Sequence, residues 1–236
     1  MASAVILVQK TTPEAILRFH DQLSNELPTL KGKWHFSFKI FRNNIYSIDP
    51  TASDDSEFSK DSKFLHILKP SYLQGSTVAV VNKKSVGIFS DSIAEEVKGN
   101  PSVRFPIPDY HLHRGATTGL NDPFDYFTSQ KLQSLWTQKQ NIRGDSGQIY
   151  ELENGNLIIR TSNVSLHGNF RGLLIQLELS DNTIESGGQK HVKDILDEVI
   201  QKYGIPQGEL CYDVLDSGHF DKYGDLCLQY AQILNF

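Results

Sequence analysis

The chain holds only two cysteines in 236 residues, no excess of basic side chains, and no apolar run approaching the roughly 18 residues that a membrane-crossing helix needs. Each scarcity excludes a class. Cys211 and Cys227 are too few to staple a chain of this length and lack C-x-x-C spacing, so two reduced core thiols are expected rather than a disulfide framework, a zinc site or a redox pair. With Lys+Arg at 23, Asp+Glu at 28 and a net charge of −5, the chain lacks the positive field that gains from counterion release, and no direct nucleic-acid contact is expected. Phosphate-cradling glycine loops and dinucleotide fingerprints are missing, as are internal repeats and low-complexity tracts. The apolar start at residues 1–8 has no basic segment before it, and Gln9 and Lys10 stand where a small-residue cleavage site would be. An intracellular protein with no membrane partner is expected.

What is present is an ordinary globular composition, 39% hydrophobic and 22% charged, able to build a sizeable core. Ala4-Val5-Ile6-Leu7-Val8 reads as a strand buried on both faces. Thr12-Pro13-Glu14 supplies an N-cap hydroxyl, a proline at the first helical position and an early acid, and Ile16, Phe19, Leu23 and Leu27 follow at helical spacing. Trp34, Phe36, Phe38 and Ile40 alternate with polar residues, the period of a half-buried strand. Residues 64–68, 77–81 and 86–89 predict three more strands, the last two joined through the polar cluster Asn82-Lys83-Lys84-Ser85. Residues 49–63 are polar and acidic and read as a mobile loop; residues 99–121, with Pro101, Pro106 and Pro108, read as an irregular crossing segment.

Asp122-Pro123 predicts a second helix whose stripe is Phe124, Phe127, Leu132, Leu135 and Trp136, ended by Gly144. Asn154-Gly155 is a hairpin signal between strands at 149–152 and 157–159, and Leu173, Ile175, Leu177 and Leu179 mark a further strand. Ser186 and Gln189 form a capping box before Val192, Ile195, Leu196, Val199, Ile200 and Tyr203, and a last helix carries Leu226, Cys227, Tyr230 and Leu234. About eight hairpin-linked strands with inserted helices favour an α+β fold, a single domain over 1–236 built on an antiparallel sheet or barrel, over a doubly wound parallel sheet.

Candidate chemistry is sparse. Gly144-Asp145-Ser146-Gly147 has the look of a serine-protease nucleophile loop, but Gln148 follows where those enzymes need a further glycine and the chain has only two cysteines, so a turn explains it better. His111 and His113, with Asp109 nearby, are two imidazoles on one strand face, and two ligands are not a metal site. Glu151 and Glu153 would share a strand face, as in tunnel-shaped triphosphate hydrolases, yet the neighbouring inward positions are Leu, Ile and Val, so a solvated strand end is expected. Asn163-Val164-Ser165 is a glycosylation match without a secretory route. No catalytic residue, cofactor or metal is expected.

Four blocks in order carry a resemblance: Ser3-Ala-Val-Ile-Leu-Val-Gln-Lys-Thr-Thr-Pro13; Leu132-Gln-Ser-Leu-Trp136-Thr-Gln-Lys-Gln140-Asn-Ile-Arg-Gly144-Asp-Ser-Gly147 with Tyr150 and Leu152; Phe170-Arg-Gly-Leu-Leu-Ile-Gln-Leu-Glu178; and Leu226-Cys-Leu-Gln-Tyr230-Ala-Gln-Ile-Leu234. Together they cover about half the chain and resemble the fungal Mediator complex subunit 20 family. The resemblance implies a nuclear, non-enzymatic subunit of the Mediator head module supporting RNA polymerase II initiation, folded as an open antiparallel β-barrel with flanking helices. It implies a heterodimer with Mediator subunit 18, linkage to the C-terminal segment of subunit 8 through that partner, and contact with the TATA-binding protein. The alternative from another class is a barrel enzyme or small-molecule carrier of the triphosphate-tunnel or lipocalin kind, which a lumen lined by converging charges would favour. The irregular segment at 104–111 has apolar groups without a regular element to bury them, so Phe105, Ile107, Tyr110 and His111 are expected at the partner surface, with His167, Phe170 and Arg171 as the later-strand site.

Overall fold

The computed structural model describes residues 2–9, 12–44, 47, 63–73, 75–82, 85–90, 124–180, 191–214 and 222–236. The strands are β1 (Ala2–Val8), β2 (Thr29–Asn43), β3 (Phe64–Pro70), β4 (Ser76–Val81), β5 (Ser85–Ser90), β6 (Trp136–Leu152), β7 (Leu157–Leu166), β8 (Asn169–Leu179) and β9 (Glu209–Tyr212). The helices are α1 (Pro13–Asn25), α2 (Phe124–Gln130), α3 (Val192–Lys202) and α4 (Lys222–Ile233). The fold is α+β, an antiparallel sheet in the order β5-β4-β3-β2-β6-β7-β8-β1-β9. Among the described residues the strands number nine, one more than the sequence count, and no described helix is long and apolar enough to cross a membrane.

The chain divides into two compact units, Met1–His35 with Arg143–Phe236, and Phe36–Ile142. In the first unit β8 sits between β1 and β7, with Ile6 opposite Ile175, Ala4 opposite Leu177 and Ile159 also opposite Leu177. Ala4, Ile6, Ile159, Ile175 and Leu177 share one face with Phe19 and Leu23 of α1 and Ile195, Leu196 and Val199 of α3. Period-2 apolar strands and period-3.6 apolar helices therefore bury each other. The intervening β8 positions face the other way, where α4 packs: Tyr230 of α4 donates its hydroxyl to Gln176 Oε1 at 2.9 Å. This is why β1 is apolar nearly throughout and β8 is buried from Gly172 to Leu177, with a helix layer against each side.

In the second unit β2, β3, β4 and β5 form a meander, with Phe38 opposite Leu68, Ile67 opposite Ala79 and Val78 opposite Ile88. Phe41, Leu65, Ile67 and Ala79 form its small core, closed by Phe89, Phe124 and Trp136. The Phe89 and Phe124 rings stack at 3.8 Å, and Asp125 of α2 binds Lys39 Nζ at 2.6 Å and Lys69 Nζ at 3.7 Å. Burial pushes the Asp125 carboxyl up, but the Lys39 hydrogen bond and the two lysine charges outweigh it and hold the pKa below its ordinary value.

Several sequence expectations are corrected here. The second helix stops at Gln130; the chain turns through Leu132, whose carbonyl accepts from the amides of Leu135 and Trp136, and then enters the 17-residue strand β6. Trp136 is thus a partly buried strand residue, and Gly144 lies inside that strand rather than ending a helix. Phe124 and Trp136 mimic a helical stripe because they reach the same core from a short helix and from a strand. Strand pairing overrides local propensity along 136–152. Leu27 lies past the end of α1, 89% exposed at φ 49°, instead of on its buried face. The α3 cap is His191, which makes no side-chain cap bond, and Ser186 and Gln189 lie outside the described residues.

Candidate interaction site

The site grows from a two-residue turn. Leu166 pairs with Asn169, leaving His167 (φ 52°) and Gly168 (φ 80°) as the connection between β7 and β8. Positive φ at both positions matches the right-handed twist of the flanking strands, so the tip is held by its own ladder. The register shifts just below it: Ser165 faces Phe170 and Val164 faces Gly172, which leaves Arg171 as the extra residue of a β-bulge. A Cβ at Gly172 would lie 2.6 Å from the Val8 carbonyl oxygen, so only glycine lets β8 approach β1 there. Phe170 is 52% exposed, and the Arg171 guanidinium lies 5.7 Å from the centre of the Phe236 ring. On the neighbouring strand the Arg143 carbonyl accepts from Ser165 Oγ at 3.5 Å.

The structure therefore brings His167, Phe170 and Arg171 together at one hairpin tip. Phe105, Ile107, Tyr110 and His111, and the metal-like group of Asp109, His111 and His113, lie outside the described residues, as do the segment read at 99–121 and all of the loop read at 49–63 except Lys63. Sequence reading missed Arg143, which stood only within the second of the four blocks. It also missed the exposed Leu17 and Leu30, whose exposure no local pattern signals.

The catalytic-looking motifs resolve into local structure. Ser146 has φ 56° within β6, and the Asp145 carbonyl accepts from Ser162 Oγ at 3.2 Å, which makes the motif a strand irregularity rather than the expected turn after a helix. Glu151 and Glu153 do not share a strand face. Glu151 pairs with Lys31 at 3.0 Å, whereas Glu153 begins the turn after β6 and accepts from Lys202 Nζ at 2.6 Å and the Tyr203 hydroxyl at 2.8 Å. The Lys202 hydrogen bond, against a smaller upward push from burial, holds Glu153 below its ordinary pKa; the same contact raises Lys202. Among the described residues no three His, Cys, Asp or Glu side chains gather as a metal site.

The expectation of purely aliphatic inward positions fails on the α4 face of the sheet. Arg160 Nη1 binds Glu178 Oε2 at 2.7 Å and Lys222 Nζ lies 3.4 Å from Glu178 Oε1. Burial pushes the Glu178 carboxyl up, but the Arg160 charge and hydrogen bond, helped by Lys222, win and keep it below the ordinary value. Each charge in this group has a counter-charge within the fold. Gln229 Nε2 adds bonds to the Ser3 carbonyl at 3.0 Å and Asp225 Oδ2 at 2.7 Å, so the polar groups here fasten α4 to the sheet.

Comparison with known proteins decides the family. The model of the TATA-binding related factor (TRF) of subunit 20 of Mediator complex matches residues 1–235. The chain belongs to the Mediator subunit 20 family. Relatives named Mediator of RNA polymerase II transcription subunit 20 are 61% identical in Debaryomyces hansenii and 57% in Scheffersomyces stipitis, each across 100% of both chains. The relative in Eremothecium gossypii is 30% identical across 99% of both chains. A solved putative adenylyl cyclase from Hippeastrum, 15% identical, aligns over 94% of this chain and 93% of that one with a TM-score of 0.39, too low to carry a reading of this site. The resemblance read from the four sequence blocks is thereby confirmed across the whole chain. Membership makes the chain a non-enzymatic subunit of the Mediator complex in RNA polymerase II transcription, and the enzyme or carrier alternative is set aside.

Proposed function

We propose that the chain acts in the nucleus as the heterodimer partner of Mediator subunit 18 in the head module, joined through it to the C-terminal segment of subunit 8, and that it supports transcription initiation, with the TATA-binding protein as a further contact. The observation that supports this reading is the exposed aromatic on a rigid support. Phe170 is 52% exposed, two residues beyond the tight His167-Gly168 turn. A half-exposed phenylalanine held by a strand ladder loses little conformational entropy on docking and brings a large apolar surface, which is how interface anchors work. His167, Phe170 and Arg171 form one part of the contact, and Phe105, Ile107, Tyr110 and His111 another, in an interface of more than about 1,000 Å². Binding is between proteins, with no cofactor, membrane or direct nucleic-acid contact.

The test is co-purification with subunit 18. F170A/R171A and, separately, F105A/I107A/Y110A should each reduce recovery of the pair while circular dichroism shows the chain still folded. Undiminished recovery in both variants would remove these residues from the interface.

A further inference from the structure

The hairpin tip has a charge that runs against the chain as a whole. The net charge is −5, yet the exposed residues on the Phe170 hairpin include His167 and Arg171, and the exposed Arg143 lies across β7 on β6, beside Ser165. Neither arginine forms an ion pair among the described residues; Arg171 only overlies the Phe236 ring. The acid nearest Arg143 on β6 is the exposed Asp145, while Glu151 stands at the far end of the strand, paired with Lys31. Arg171 stands on the bulge beside the exposed Phe170 ring and Arg143 lies across β7 from it, whereas Arg160 and Lys39 are committed to Glu178 and Asp125.

From this arrangement we infer that the β7–β8 tip docks an acidic segment of another protein, an apolar or aromatic side chain flanked by carboxylates. Resting on the reading of this tip as a partner site, the inference adds the chemistry of what it binds. Phe170 supplies the surface against which the partner's apolar side chain loses water. Arg143 and Arg171 supply planar forks that match carboxylates bidentately, which lysines could not do as well. The bulge sets Arg171 out of the ladder beside Phe170, so one short segment can meet the ring and a guanidinium together.

The experiment uses the full chain and three labelled peptides followed by fluorescence anisotropy: alternating Asp and Phe, alternating Lys and Phe, and alternating Asp and Ser. Only the first should bind well, at least tenfold more tightly than either other peptide, and its affinity should fall as salt is raised. F170A, R143E/R171E and the milder R143Q/R171Q should each weaken it at least tenfold, whereas K193E on exposed α3 should not. Absence of binding, equal binding of the Lys-Phe peptide, or indifference to the arginine variants would overturn the inference. Co-purification with subunit 18, measured on the same variants, separates it from the partner-site reading. Peptide binding lost while subunit 18 is retained would refute subunit 18 as the occupant and leave the acidic-segment inference standing. Subunit 18 lost with F170A but retained with both arginine variants would do the reverse.

Discussion

Tyr230 and Gln176, 54 positions apart in the chain, are both fully buried and joined by a 2.9 Å hydrogen bond from the tyrosine hydroxyl to the amide oxygen. The bond links α4 to the central strand of the first unit, and neither polar group has water to fall back on. Y230F should therefore cost about 0.5–1.5 kcal/mol, the net worth of one buried hydrogen bond. A denaturant titration would read this as a lower midpoint with an unchanged slope.

The Arg160–Glu178–Lys222 cluster gives the fold an acid limit. Because the folded pKa of Glu178 lies below its unfolded value, the carboxylate contributes fully above the ordinary glutamate pKa of about 4.3 and its contribution disappears as pH falls through the lowered folded value. The melting temperature should drop across that acid range. In E178Q the acid-dependent part of the drop should shrink, because the group no longer titrates. A wild-type pH profile identical to that of E178Q would rule the linkage out.

Leu27 sits at φ 49° with 89% of its surface exposed, so its side chain gains little from packing while its backbone carries left-handed strain. L27N should stabilise the chain by about 0.5–1 kcal/mol, since asparagine tolerates that conformation without loosening the unfolded chain as glycine would. L27V should destabilise it. Chemical denaturation of both variants checks the pair of signs.

Trp136 closes the small core of the second unit beside Phe41 and Phe124 while remaining only partly buried. W136A should cost about 2 kcal/mol, in line with removing part of a large apolar side chain rather than a fully buried one. A neutral effect would mean that the ring does not pack there.

The regular elements with a single strong period were readable from the sequence. β1, α1, the β3–β4–β5 meander and the two last helices fall where alternation, capping or helical spacing place them. Of β6 only the end at 149–152 was readable, from its hairpin with β7; 136–148 was not, because Phe124, Leu135 and Trp136 fall at helical spacing by coincidence and the other ladder partner, β2, is far away in sequence. The same non-locality hid Arg160–Glu178 and Gln176–Tyr230, since alternation shows that a side chain is inward but not which helix will meet it. Of the candidate site, His167, Phe170 and Arg171 were identified as loop residues near a strand end; the structure puts the last two on β8 itself, next to Arg143, which sequence spacing could not connect to them.

The central claim is that this 26.6 kDa chain functions as one half of a heterodimer with Mediator subunit 18. Its most direct test is light scattering on the co-expressed pair after size-exclusion chromatography. The account predicts a single species whose mass is the sum of one copy of each chain. Two separate peaks, each with the mass of a chain alone, would contradict it.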